Sequence, residues 1–139
     1  MNIKVINEHS DIELVDRLRY DAQNMEYVDN NFFINRIKNG EICVLACFIE
    51  NSVVGGIYLS NSLNSLYVEK IFVKEQFQKC GIATFMINYV INNKHYFEGL
   101  FHKKIDFSIL EPNSNLTVDL YRKLGFRGPD NLNIMRRRI

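Results

Sequence analysis

The run Gln78-Lys79-Cys80-Gly81-Ile82-Ala83-Thr84 is the part of this sequence best suited to chemistry. A polar loop meets a glycine where an apolar, helix-periodic segment begins. The first turn of a helix leaves backbone N–H groups without intrahelical partners, and the helix dipole adds partial positive charge there. Such amides can hold a phosphate when small residues let it approach. Gly81 and Ala83 are small, Thr84 adds a hydroxyl and Lys79 adds a charge. Alone, a glycine before a helix is more often just a turn. Gly-x-Gly-x-x-Gly and the Gly-Lys-Ser/Thr of a triphosphate loop are both missing, which argues against dinucleotide and nucleoside-triphosphate sites.

Such a loop needs a strand before it and a helix after it, and the flanking patterns supply both. Ile3 and Val5 mark a first strand. Ser10 or Asp11 could cap a helix with Ile12, Leu14, Val15, Leu18 and Ala22 on its apolar face. A second short helix is expected over residues 31–37, stopped by Asn39-Gly40. Strands over residues 42–49 and 53–59 flank Glu50-Asn51-Ser52, which reads as a hairpin. A turn over residues 60–65 leads to a third strand, 66–73. The helix after the loop spans residues 82–92 and is expected to bury Ile82, Phe85, Met86, Tyr89 and Val90. A strand over 104–110 is broken by Glu111-Pro112-Asn113-Ser114, and a helix over 116–124 ends at Gly125 as a left-handed cap. Residues 134–139 close the sheet. The order predicts an α/β fold, a mixed sheet with flanking helices. Gly55-Gly56, inside a strand, marks a bulge or a close backbone approach.

Two signatures on these elements resemble one family. Val73-Lys74-Glu75-Gln76-Phe77-Gln78-Lys79-Cys80-Gly81-Ile82-Ala83 resembles the coenzyme motif of the GNAT acetyltransferase superfamily, whose core Arg/Gln-x-x-Gly-x-Gly/Ala is met by Gln78, Gly81 and Ala83. Leu120-Tyr121-Arg122-Lys123-Leu124-Gly125-Phe126 is similar to its second signature, a tyrosine on a helix that ends in Gly-Phe. The resemblance implies the acyl-CoA N-acyltransferase fold, with a mostly antiparallel sheet splayed between the strand ending at Val73 and the strand over 104–110. Acetyl-CoA would be the co-substrate. Its pantetheine would pair with the main chain of Ile71, Phe72 and Val73, and its pyrophosphate with the amides of Lys79, Cys80, Gly81, Ile82, Ala83 and Thr84.

The implied reaction is direct attack of a primary amine on the thioester, with no acyl-enzyme, so Cys80 is not a candidate nucleophile. Tyr121 matches the family's acid, since a phenol with a pKa of ~10 can protonate the leaving thiolate. Glu69, in a strand that resembles the diamine acetyltransferase branch, is the candidate base or amine contact. Ser114 and Thr117 stand where many members carry asparagine and alanine, so Asn113 or Asn115 is expected to contact the coenzyme instead. Gln78 replaces the commoner arginine. Tyr20, Glu26, Tyr27, Asp29 and Asn30 could meet the acceptor. A non-catalytic acyl-CoA-binding domain of the same fold is the alternative.

Composition sets the frame. Residues 1–139 read as a single domain. Seventeen basic residues against sixteen acidic give a net charge of +1, which supplies no bulk drive toward nucleic acid or membrane. The three basic residues Arg136-Arg137-Arg138 form the sole basic cluster. No stretch reads as a signal peptide or membrane span. Cys43, Cys47 and Cys80 have no zinc spacing and read as reduced thiols of a cytoplasmic protein. His9, His95 and His102 show no metal pattern, and no metal is expected. The acceptor is a small-molecule or peptide amine, and a homodimer is compatible with this reading.

Overall fold

The computed structural model describes residues 1–10, 13–14 and 30–139. Apart from Glu13 and Leu14, which are helical, the helix expected after Ser10 lies outside the described residues, as do Tyr20, Glu26, Tyr27 and Asp29. The elements are β1 (Asn2–Ile6), α1 (Asn30–Lys38), β2 (Ile42–Ile49), β3 (Ser52–Ser62), β4 (Ser65–Val73), a 3-10 turn (Glu75–Phe77), α2 (Ile82–Asn92), α3 (Lys94–Phe101), β5 (Phe107–Leu110), α4 (Asn115–Lys123) and β6 (Met135–Arg138). The strands form one sheet in sequence order, β1-β2-β3-β4-β5-β6. β1 and β2 are antiparallel, as are β5 and β6, while β4 and β5 are parallel. A parallel pair needs a crossover, and α2 and α3 lie in it. This is the mixed, mostly antiparallel α/β sheet that the sequence predicts.

The chain divides into two compact units, Met1–Leu59 with Lys70–Met86, and Ser60–Glu69 with Ile87–Ile139. In the first, β2 is apolar throughout and buried on both faces up to Phe48. Its alternate residues Ile42, Val44, Ala46 and Phe48 pack with Ile6, Ile34, Ile37, Val53, Tyr58 and Phe72, and Leu14 packs against that core. α1 ends at Lys38 because Gly40 takes a left-handed φ of 74°. The hairpin from β2 to β3 turns at Glu50, also left-handed at φ 56°.

The second unit corrects two expectations. Residues 94–101 form a helix that the sequence reading passed over, with Phe97 fully buried. β5 begins at Phe107 rather than at residue 104, because main-chain groups before it are engaged elsewhere. The Ile105 N–H donates to Glu98 Oε2 (2.8 Å) and the Asp106 N–H to the Asn64 carbonyl (2.8 Å). In the first unit a further expectation is corrected: Phe85, expected inside, is 42% exposed on α2.

Candidate active site

The loop expected to hold the coenzyme, residues 78–84, lies wholly in the first unit. The 3-10 turn closes with Phe77 N–H donating to the Lys74 carbonyl (2.8 Å), and Gln78 Nε2 donates to the Val73 carbonyl (3.1 Å). Gln78, a coenzyme-motif residue in the sequence, thus ties the loop back to the end of β4. Lys79 and Gly81 both take left-handed φ, 63° and 83°. For lysine this is a strained conformation, costing about 1–2 kcal/mol. The Gly81 carbonyl accepts the first intrahelical bond from Phe85 N–H (2.9 Å), so Gly81 caps α2 and the N–H groups of Ile82, Ala83 and Thr84 have no partner inside the helix. No acidic residue stands in that first turn. Gln78, Lys79, Cys80 and Gly81 are exposed, and a Cβ built on Gly81 would meet nothing within 4 Å. The result is an open, electropositive cluster of amides suited to a phosphate.

Behind the loop, β4 is pressed close to β3. A Cβ on Gly55 would lie 3.0 Å from the Phe72 carbonyl oxygen, and one on Gly56 would lie 2.6 Å from Phe72 Cζ. The glycine pair therefore marks a close approach, as its place in a strand suggests. Lys74 N–H donates to the Val54 carbonyl (2.8 Å), which fixes the strand end from which the loop departs.

In the second unit, Tyr121 sits on α4 with its ring buried and tilted against Phe126 at 6.1 Å. Burial pushes its phenol above the ordinary tyrosine range. Among the described residues its hydroxyl has no hydrogen-bond partner, yet no buried side-chain oxygen or nitrogen there is unsatisfied. The hydroxyl therefore reaches accessible space. α4 starts with a capping box: Ser114 Oγ accepts from Thr117 N–H (3.2 Å), and Thr117 Oγ1 accepts from Ser114 N–H (3.0 Å). Asn113 Oδ1 lies 3.1 Å from Thr117 Oγ1, whose hydroxyl has the Ser114 carbonyl closer at 2.8 Å, and Asn113 and Asn115 are both exposed. The two departures from the family pattern, Ser114 and Thr117, are the residues that build this cap.

The ladder between β4 and β5 runs from Ser65–Phe107 to Val68–Leu110 and goes no further, although β4 continues through Glu69, Ile71, Phe72 and Val73. Glu69 follows directly on the last pair, and Glu111 follows its partner. Burial, then Glu111, then Glu69 push the Tyr67 phenol up. The two carboxylates thus act on one tyrosine at the end of the ladder. In the sequence Glu69 is a candidate by resemblance, whereas Glu111 reads only as part of a strand break. The missing signal was the register, which no local pattern carries. Cys43 and Cys47 are buried and Cys80 exposed, all as free thiols. His95 is an exposed helical residue, its Nδ1 2.7 Å from Glu98 Oε1. Among the described residues no group of three or more His, Cys, Asp or Glu could hold a metal ion, and no helix is long and apolar enough to cross a membrane.

A mostly antiparallel sheet turning parallel at β4–β5, with an open helix start just beyond β4, defines the class of acyl-CoA N-acyltransferase folds. Residues 38–128 match the Acetyltransferase (GNAT) domain family. The chain belongs to the GNAT acetyltransferase family. It is similar to the crystal structure of Tetrahymena GCN5, at TM-score 0.70 and 14% identity over 100% of this chain and 96% of that one. PaiA N-acetyltransferase from Thermoplasma acidophilum, in complex with coenzyme A, gives 0.68 and 17% over 100% of both chains. Arabidopsis thaliana NAA60 in complex with acetyl-CoA gives 0.70 and 16% over 99% and 98%. At these identities the likeness shows the fold. No curated protein matches by sequence.

Proposed function

We propose that this chain transfers acetyl from acetyl-CoA to a primary amine by direct attack. The observation that carries the reading is the start of α2, where the amides of Ile82, Ala83 and Thr84 have no partner inside the helix and the space beside Gly81 is open. Those amides, with Lys79 and Cys80, would receive the pyrophosphate. The pantetheine would run along Ile71, Phe72 and Val73, beyond the point where the β4–β5 ladder ends. Asn113 or Asn115 would complete the coenzyme contacts. Similarity to solved structures holding coenzyme A or acetyl-CoA supports the co-substrate.

In the reaction the neutral amine nitrogen attacks the thioester carbonyl carbon. The C–S bond breaks, and the leaving thiolate takes its proton from Tyr121, whose raised pKa keeps it protonated at neutral pH. The attacking nitrogen loses its proton to Glu69, directly or through water. Glu69 and Glu111 together would favour a cationic acceptor such as a small di- or polyamine. Three free thiols fit a cytoplasmic setting. An amine-panel assay following free thiol release tests the reading. Polyamines are expected to turn over best, and failure of acetyl-CoA to bind by calorimetry at roughly 1 mM would overturn it.

A further inference from the structure

On the second unit, a cavity of about 610 Å³ is lined by Arg127, Arg136, Arg137 and Arg138 with Phe107 and Gly125. The backbone explains why the cations converge. Arg127 and Arg136 exchange both main-chain hydrogen bonds (2.8 and 3.0 Å), so their side chains leave the same face side by side. Arg138 is two residues along β6 and shares that face. Phe107 pairs with Arg138 in register, and the guanidinium lies over its ring, 5.2 Å from the centroid. On the opposite face of this ladder Ser108, Leu110 and Met135 are buried, and Arg137 is the cation that leaves from it.

The four arginines have different duties. Arg137 Nη1 donates to the Leu124 carbonyl (2.7 Å), which closes the C-terminal end of α4. Arg127, Arg136 and Arg138 have no carboxylate within ion-pair distance among the described residues. The lining acid, Asp130, uses Oδ1 to accept from the N–H groups of Leu132 and Ile134 (both 2.9 Å) and so braces its own loop. In a chain with net charge +1, three guanidiniums on one face of one cavity, of which Arg136 alone feels a lining carboxylate, Asp130, form a local excess of positive charge that the composition does not show.

We propose that this cavity binds a phosphate-bearing ligand of nucleotide size at a site separate from the coenzyme loop. Guanidiniums form paired hydrogen bonds to phosphate oxygens, and several together suit a group carrying more than one negative charge. The volume lies in the ordinary range of small-ligand cavities, roughly 300–1,000 Å³. The phosphate could belong to a free nucleotide or to the end of an RNA strand, and the inference does not depend on acetyl transfer.

The test is titration of the whole chain with adenosine 5′-monophosphate and, separately, with a short single-stranded RNA, each with and without saturating coenzyme A. Saturable binding is expected that coenzyme A does not displace and that Arg136→Gln with Arg138→Gln weakens at least tenfold. Tighter binding of the RNA, with strong salt dependence, would assign the phosphate to RNA; tighter binding of the mononucleotide would assign it to a free ligand. Amide chemical shifts of the unsubstituted protein give an answer independent of the variants' folding. Changes at Gly125, Gly128, Arg136 and Arg138 support the site. Displacement by coenzyme A, changes confined to residues 79–84, or no saturable binding would overturn it.

Discussion

The ring of Phe72 fills the space in which a side chain at Gly56 would begin: a Cβ there would lie 2.6 Å from Cζ and 2.8 Å from Cε1. Leu45 closes the other side with its carbonyl oxygen 3.2 Å away. Phe72 is also tilted against Tyr58 at 5.5 Å within the core of the first unit. The strand that leads to the loop over residues 74–81 is thus held at a depth that glycine in β3 permits.

Gly56→Ala is expected to destabilise the protein by about 1–3 kcal/mol, the usual cost of overpacking. A lowered urea midpoint with an unchanged slope is the expected result. An unchanged midpoint would mean that Phe72 moves aside freely.

Gly81→Ala tests the loop. The new methyl meets no atom of the protein, so its cost is the left-handed φ, about 1 kcal/mol, and not a clash. Acetyl-CoA affinity is expected to fall about tenfold or more, because the methyl enters the space a phosphate would use. Calorimetry on the folded variant measures both effects.

Tyr121→Phe keeps the ring packing on Phe126 and removes the proposed proton donor. Turnover is expected to drop about 10²-fold or more with coenzyme affinity nearly unchanged. In the unsubstituted enzyme the tyrosine is protonated up to and beyond the ordinary tyrosine range, so the alkaline fall in rate should come late and should vanish in the variant. Lost binding instead of lost turnover would make Tyr121 a structural residue.

Alkaline pH should unfold the protein through Cys43. Burial pushes its thiol from 9.0 to about 12, so above 9.0 the unfolded chain releases a proton that the folded chain retains. Stability is therefore full below 9.0 and declines as pH rises toward 12. Buried Tyr58 adds to the decline with the same sign. Urea midpoints at about pH 7 and about pH 10.5 should differ less in Cys43→Ala than in the unsubstituted chain.

Much of this was legible in the residues. The runs of β2 and α2 were read to their boundaries, because a continuous apolar strand and a helix-period stretch behind a glycine are local patterns. The Gly81 and Tyr121–Phe126 signatures pointed to the family before any fold was known. The α3 helix escaped because it is short and carries a glycine, and its single fully buried residue, Phe97, gains its burial from tertiary packing.

By itself, then, the sequence determined the strands and the helices α1, α2 and α4, the order of these elements, and the glycine at the start of α2, since each depends on neighbours along the chain. Strand register and main-chain pairing were decided by the tertiary structure. They stop the β4–β5 ladder at Val68, bring Glu111 to act with Glu69 on Tyr67, and set Arg127 beside Arg136 and Arg138 beside Phe107. Such pairings join residues far apart in sequence, and the chain's local patterns hold no trace of them. The start of α2 looked in the sequence like a glycine before a helix. The structure adds the left-handed φ of Gly81 and amides with no partner inside the helix, the geometry on which the proposed phosphate site rests.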